Sequence, residues 1–532
     1  VLLHGALLVL AVLLCYVIAL GGPFLWDDEV TIVGNSLIRS WSSIPQIFVS
    51  SLFGERMGGI GFYRPLATLS YLFDYQLFGL SAFGFHLTSI ILHAANALLV
   101  YALLLRFDLR YRFAFIGALF FAVHPVQIEA VTYISGRNDL LFLLFSLLTI
   151  LTFLSGMRGK PLAYIFSVLC FALALLSKEN AVVVPVLLIP LVWLERKKAE
   201  GRLPYLTLAL LLLVSVAYAV FRFVLINQSS TGTLSWIAEA TLFERFLTVP
   251  HALFQYVLLL LVPFPLHMEY QFVETSPWNL WLWMGMPLLL AGIGAGIAFV
   301  RQRFLASALF FWFFVSLLPV LNFPVATPST LREHWLYLPS VGAFALIALI
   351  LQRYDEGISP SARRLFLGVC VCVALVFGAL TIQRNQDWLS PLRLYAHDVQ
   401  WEPKSFLLWN NLGVEQYRRG DRTAAKESFL QAVAMSPGER YSMAHNNLAV
   451  MLEQEGNVSE AVRHFSLSID LTNERLAYQN LSRILLRLDD IEEAMPLIEK
   501  GLSLYPDDSE LLSYRSAVQR LQAETKKADR SQ

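Results

Sequence analysis

The sequence predicts an all-α protein in two parts, a polytopic helical membrane domain followed by a short α-solenoid. Three observations predict it. Of 532 residues, 56% are hydrophobic and only 15% charged, against about 25% charged in an ordinary soluble domain. Before residue 382, apolar runs of roughly 15–22 residues follow one another, the length that crosses a ~30 Å hydrocarbon core. After it the chain turns amphipathic and charge-rich, with a repeat of about 34 residues. A mean hydropathy of +0.57 leaves too few polar side chains to wrap a water-soluble body of this size.

Eleven spanning segments follow from hydropathy, at about 1–21, 86–105, 113–128, 139–155, 162–176, 181–194, 204–226, 279–300, 304–320, 335–352 and 364–381. The first has no small-residue cleavage site after it and reads as an anchor rather than a signal peptide. Positive charge orients the set. The basic loops Arg106–Arg112, Arg158–Lys160, Arg196–Arg202, Arg301–Arg303 and Gln352–Arg364 are expected to face the cytoplasm, and the other linkers the opposite side. Ala252–Val262 would break this alternation if it spanned. It is short and followed by Pro263 and Pro265, so it reads as re-entrant or interfacial. Parity then puts everything after residue 382 outside the cytoplasm. The expected division is a membrane domain over 1–382, a linker over 383–403, repeats over 404–523 and a flexible tail over 524–532.

In the repeat region, Trp409, Leu412, Gly413, Ala425, Phe429, Ala432 and Pro437 fall at the offsets of a tetratricopeptide unit. A second unit keeps Leu448, Ala449, Ala461 and Phe465, and a third keeps Leu481, Ala494 and Pro506. Small residues such as Gly413 and Ala425 let paired helices approach, and Pro437 and Pro506 stop the second helix of their units. Leu511–Ala523 reads as a capping helix. The concave face of such an array would carry Asn410, Asn411, Asn446, Asn447 and Asn480. Asparagines hydrogen-bond a peptide backbone without demanding a sequence, so this face suits an acceptor polypeptide; the alternative is that the repeats only brace the membrane domain.

Charge and cysteine usage exclude other classes. Lys+Arg (40) balances Asp+Glu (40), so no basic tail points to nucleic acid. Cys15, Cys170, Cys370 and Cys372 all sit in apolar runs, which excludes a disulfide framework and a thiolate zinc site.

Four polar stretches fall on the side opposite the basic loops: Trp26 to Glu29, His124 to Asp139, Ser177 to Asn180, and Leu331 to Trp335. Ionisable groups at the mouths of membrane helices are costly to bury and suggest function. Asp27 and Asp28 form an adjacent acidic pair whose mutual repulsion would raise one pKa and make it a better base. They are the catalytic candidates, with helix capping and metal binding as the other readings. Arg64, Arg137, Lys178 and Arg332 lie where positive charge is normally depleted and could face an anionic headgroup, as could His334 and Tyr337 beside them. His124 and Glu129, with Glu179 and Glu333, are supporting acid/base candidates. The five-residue gap from His124 to Glu129 does not share one helix face, so a metal there is weakly supported.

An outward cavity with an acidic pair, several cations and a helical wall suits a membrane lipid with a phosphate head. The chemistry would be glycosyl transfer from a polyprenyl-phosphate-linked sugar: a base activates an acceptor oxygen, and cations stabilise the departing phosphate. Such a leaving group needs no cofactor, with a divalent cation left open.

The residues that carry a family resemblance are Trp26-Asp27-Asp28, Tyr63-Arg64-Pro65-Leu66, His124-Pro125-Val126 through Glu129-Ala130-Val131, Gly136-Arg137 with Asp139-Leu140-Leu141, Ser177-Lys178-Glu179, Glu333-His334-Trp335-Leu336-Tyr337-Leu338-Pro339-Ser340, and Arg384-Asn385 with Asp387-Trp388, followed by tetratricopeptide repeats. In this order they resemble the transmembrane and tetratricopeptide-repeat O-mannosyltransferases and their bacterial relatives. The resemblance implies a GT-C glycosyltransferase fold, a lumenal or periplasmic active site, a base at Asp27 or Asp28, and a polyprenyl- or dolichyl-phosphate-linked donor, mannose favoured. It implies transfer to Ser/Thr of an exported protein; the alternatives are a glycan or lipid acceptor, with the repeats recruiting partners, or a non-catalytic envelope scaffold. Two departures stand out. The family commonly has Glu-Arg where this chain has Glu333-His334, and its eukaryotic members carry longer repeat arrays, which points to a bacterial inner-membrane protein.

Overall fold

The computed structural model describes residues 1–52, 62–195, 203–225, 234–302 and 304–529. The basic loop Arg196–Arg202, Arg303, Asn227 (which opens a glycosylation sequon) and the last residues of the tail lie outside the described residues. Among those described, the chain is helical throughout, with one isolated bridge between Tyr270 and Leu331 in place of any sheet. It divides into two compact units, Val1–Trp401 and Glu402–Gln532.

The first unit contains α1 (Leu2–Tyr16, continued by a 3-10 turn to Gly21), α2 (Pro65–Phe78), α3 (Ala82–Arg106), α4 (Tyr111–Val123), α5 (Arg137–Met157), α6 (Leu162–Ser177), α7 (Val184–Glu195), α8 (Leu203–Leu225), α9 (Leu242–Leu261), α10 (Leu280–Gln302), α11 (Leu305–Leu317), α12 (Tyr337–Glu356), α13 (Pro360–Asp387) and α14 (Pro391–Trp401). Every one of the eleven apolar segments coincides with a helix. Seven helical stretches among the described residues are long and apolar enough to cross a membrane, and α4 with the short helices after it makes an eighth if its 53° bend is one span. At 1.5 Å per residue, α6, α7 and α11 fall short of a ~30 Å core. The outward faces match this reading. In α13, Leu365, Val369, Val371, Leu375 and Val376 are all exposed, more contiguous apolar surface than a water-soluble monomer leaves open. The chain is a multi-pass membrane protein.

One expectation changes in extent and one in kind. Ala252–Val262 is the second half of α9, a 20-residue amphipathic helix opened by a Thr241/Glu244 capping box; Glu244 and Arg245 in its first turn suit an interfacial position rather than a span. Residues 383–401, read as linker, are helical and packed. Arg384, Asn385 and Asp387 end α13 and are buried, as are Leu394, Tyr395, Asp398 and Val399 of α14. Their charge made them look solvated, but each charge has a partner within the unit.

The second unit pairs α15 (Phe406–Arg418) with α16 (Arg422–Met435), α17 (Ser442–Gln454) with α18 (Val458–Thr472), and α19 (Arg475–Arg487) with α20 (Ile491–Leu504), closed by α21 (Ser509–Asp529). Ala425, Phe429, Ala432, Ala461, Phe465, Leu481 and Ala494 lie in one continuous core. Gly413 is required: a Cβ there would stand 2.6 Å from the Phe429 ring. α16 ends just before Pro437 and α20 just before Pro506, where a missing N–H cannot continue the ladder.

Candidate active site

The segment between α4 and α5 is the hub that gathers the four polar stretches. His124 opens it as a helix cap, and Gly136 lets it fold back, since a Cβ there would meet the Glu129 carbonyl oxygen at 2.6 Å. The first stretch docks on it through Asp28 and the fourth through His334, while the third reaches Asp139 in the first turn of α5 through Lys178.

The acidic pair separates into two roles. Asp28 is fully buried. Its Oδ1 accepts from the Ser135 N–H (2.8 Å) and hydroxyl (2.5 Å), and its Oδ2 from the Leu25 N–H (3.0 Å). It ties the loop after α1 to the hub. Asp27 is only half-buried. Its N–H donates to the Tyr133 hydroxyl oxygen (3.1 Å), and the preceding Trp26, held at φ 50°, lies against the Arg332 guanidinium (5.5 Å). Burial raises the Asp27 carboxyl above the ordinary carboxylate value, while the Tyr133 hydroxyl, Arg332 and Arg64 pull it back. Burial also pushes Asp28 up to about 7 against its hydrogen bonds, and repulsion from Asp27 contributes least. Adjacency alone is therefore not what perturbs the pair.

Two ion clusters stand within electrostatic reach of Asp27. In one, Arg332 pairs with Glu269 and lies 3.9 Å from Glu129. Glu129 is also met by His334, through Nδ1 at 2.8 Å and the backbone N–H at 2.9 Å. In the other, Arg64 grips Glu179 with two bonds, Nε–Oε2 at 3.2 Å and Nη2–Oε1 at 2.8 Å. Beside it Lys178 pairs with Asp139 at 2.6 Å. Burial lowers the Lys178 pKa, and the Asp139 charge opposes that. Glu333 stands behind, accepting from the His267 N–H (2.7 Å) and the Tyr270 hydroxyl (2.9 Å). It braces the 263–274 segment instead of facing Asp27.

Three site expectations are corrected. Arg137 is fully buried among α2, α3 and α5, paired with Asp74 (2.5 Å) and donating to the Phe85 carbonyl (2.6 Å). Tyr337 is buried with its hydroxyl on His93 (2.7 Å) and Asn96 (3.3 Å). His124 accepts from the Val126 N–H (3.2 Å) with Nδ1 and donates from Nε2 to the Leu260 carbonyl (3.1 Å). Each sits at a helix mouth by sequence but points into the packing, which hydropathy does not resolve. Conversely, Glu269 and Tyr133 were not anticipated. Glu269 lies in a pattern-free loop, and its one signal was a carboxylate between Pro265 and Trp278 on the side of the polar stretches. Among the described residues no three His, Cys, Asp or Glu side chains converge as a protein metal cage requires.

In the repeats, the five asparagines form a ladder. Asn480 donates to Asn446 (3.1 Å), Asn446 to Asn447 (3.3 Å), Asn447 to Asn410 (2.9 Å) and Asn410 to Asn411 (3.4 Å). It crosses all three units in register.

Residues 65–221 match the family model described as Dolichyl-phosphate-mannose-protein mannosyltransferase, and residues 407–439 and 476–508 match Tetratricopeptide repeat. A Caenorhabditis elegans protein named Protein O-mannosyl-transferase is 25% identical over 439 residues, covering 79% of this chain and 61% of its own. Human Protein O-mannosyl-transferase TMTC3 is 24% identical over 577 residues, covering 94% of this chain and 60% of its own. The chain is similar to the TMTC-type protein O-mannosyl-transferases. It spans about 60% of the length of these curated relatives, and the acidic pair precedes the segment matched by the mannosyltransferase model. The crystal structure of ArnT from Cupriavidus metallidurans bound to undecaprenyl phosphate is 12% identical, covers 97% of this chain and 87% of its own, and superposes with a TM-score of 0.38.

Proposed function

We propose that this TMTC relative is an integral-membrane glycosyltransferase of the GT-C class. It moves a monosaccharide, mannose favoured, from a polyprenyl-phosphate donor to a Ser or Thr hydroxyl of a polypeptide held along the asparagine ladder. The observation that carries this reading is the partly exposed residue Asp27, its carboxyl pulled down by both Arg332 and Arg64. Asp27 takes the acceptor hydroxyl proton, and the freed oxygen attacks the anomeric carbon. The bond from that carbon to the phosphate oxygen breaks, with inversion. Arg332 and Arg64, with Lys178 behind, each exchange a carboxylate partner for the departing phosphate. A divalent cation, if one assists, would be held by one or two carboxylates and the phosphate itself. Asp28 fixes the loop that presents Asp27. The basic loops support an extracytoplasmic site, periplasmic in a bacterial inner membrane.

The test uses the full chain in nanodiscs with a panel of polyprenyl-phosphate sugars and Ser/Thr-containing peptides, following release of polyprenyl phosphate with and without EDTA. Turnover with one donor names the sugar and decides the metal question. No turnover with any donor or peptide, in protein that remains folded, contradicts the reading.

A further inference from the structure

We propose that Asp398 is a positioning residue for Arg332, acting through the 263–274 segment; the proposal rests on the reading of Arg332 as a phosphate-facing cation. α14 presents Tyr395, Asp398 and Trp401 three residues apart, on one helix face. Each meets an element of the site. The Tyr395 ring lies edge-on to Trp26, centroids 6.2 Å apart, directly before Asp27. Trp401 meets Phe264 at 6.0 Å. Between them the fully buried Asp398 accepts the Met268 N–H on Oδ2 at 2.9 Å.

Asp398 is itself held in place. Arg384 holds it by a hydrogen bond from Nη2 to Oδ2 (3.0 Å) and an ion-pair contact of Nη1 with Oδ1 (2.8 Å), and His397 Nδ1 lies 2.8 Å from Oδ1. On the other side of the segment, Glu333 accepts from the His267 N–H and the Tyr270 hydroxyl, and Tyr270 bridges Leu331. The backbone from His267 to Tyr270 is thus pinned from two sides, and the side chain it carries between the pins is Glu269, the partner of Arg332. A buried ion pair such as Arg384–Asp398 is seldom a better stabiliser than apolar packing. Its evident effect here is to fix where one backbone N–H lies.

Two measurements on the full chain in nanodiscs test this. Asp398→Asn is expected to lower kcat about tenfold or more, as loss of a supporting shell does, with donor KM changed less than about twofold. In an Arg332→Lys background the same substitution should cost less than about twofold, because the two act on one element. Additive losses would overturn the proposal. Hydrogen exchange supplies the second readout: the Met268 and Glu269 amides should exchange faster in Asp398→Asn, with the repeat helices unchanged, and unaltered protection there also overturns it. If no donor supports turnover in the wild type, the proposed function fails while exchange still decides the positioning role. If Asp398→Asn is not recovered folded, Arg384→Lys, which keeps the charge and loosens the grip, carries the same tests.

Discussion

The first unit has two charge clusters at opposite ends of α12, and they are built in opposite senses. At its C-terminal end the buried Asp355 is surrounded by Arg110 (3.6 Å), Arg363 (2.8 Å) and Arg112, all partly exposed, with Glu356 also on Arg110. At its N-terminal end Arg332 and His334 lie among three carboxylates, Glu129, Glu269 and the partly exposed Asp27. Where cations outnumber carboxylates at the membrane surface, the cluster follows the positive-inside pattern and fastens loops. Where carboxylates outnumber arginines in a buried setting, the proposed function gives Arg332 a partner to exchange and leaves Asp27 as the base. The difference lies in which sign is in excess and how dry the surroundings are, more than in the number of ion pairs.

Substituting one arginine in each cluster exploits the contrast most sharply. Arg332→Gln should lower turnover about 10²–10³-fold, the cost of losing a charge-stabilising donor. Arg112→Gln should leave kcat unchanged and lower stability only modestly, by about 1 kcal/mol, because the buried Asp355 keeps Arg363 and Arg110 as partners. Parallel kinetics and thermal scans check both, and equal losses would erase the distinction.

A smaller effect is expected in the pH profile. As the proposed base Asp27 acts ionised, and burial raises its pKa, so turnover should rise with pH through a limb above the ordinary carboxylate range. Arg332 pulls that pKa down, so in Arg332→Gln the residual activity should show its limb at higher pH. An unmoved limb would mean that another group titrates.

In the repeats the stakes are lower still. Asn447→Ala removes one rung of the ladder and should raise the KM for a polypeptide acceptor about three- to tenfold, the scale of one or two hydrogen bonds, without altering donor KM. The smallest effect concerns a buried chain in the second repeat. Arg463 donates to His464 Nε2 (3.0 Å), His464 Nδ1–H to His445 Nδ1 (2.8 Å), and His445 Nε2–H to the Glu439 carbonyl (2.7 Å). In this pattern His464 accepts on Nε2 and holds its proton on Nδ1. Burial lowers His464 to about 4 against about 6.5 unfolded, so the unfolded chain takes up the proton first. Stability of the repeats should therefore fall as pH drops from about 6.5 to about 4, seen as a melting temperature lower by a few degrees. His464→Gln should flatten that dependence.

The two units also differ in how far sequence alone reveals them. In the repeats the periodicity constrains both packing and placement: Gly413, Phe429 and Ala461 are where a 34-residue unit needs them, and the asparagines come into register because the units do. In the membrane unit hydropathy locates helices, so all eleven apolar segments and the convergence of the four polar stretches were legible. It does not say which way a polar side chain points at a helix mouth. Arg137, Tyr337 and His124 therefore looked like site residues although their partners, Asp74, His93 and the Leu260 carbonyl, lie in elements distant in sequence. Glu269 was hidden for the converse reason, being brought to Arg332 by a bridge between two irregular segments. The separation of Asp27 from Asp28 depends on Ser135, more than a hundred residues away.

That separation is the central claim, and the most direct measurement compares Asp27→Asn with Asp28→Asn in nanodiscs for turnover and for thermal unfolding. Asp27→Asn should remove turnover by about 10³-fold or more, at the upper range for a lost general base, with unchanged unfolding. Asp28→Asn should lower the unfolding temperature and retain measurable turnover below it. The reverse outcome, with Asp28→Asn inactive but stable and Asp27→Asn active, would contradict the account.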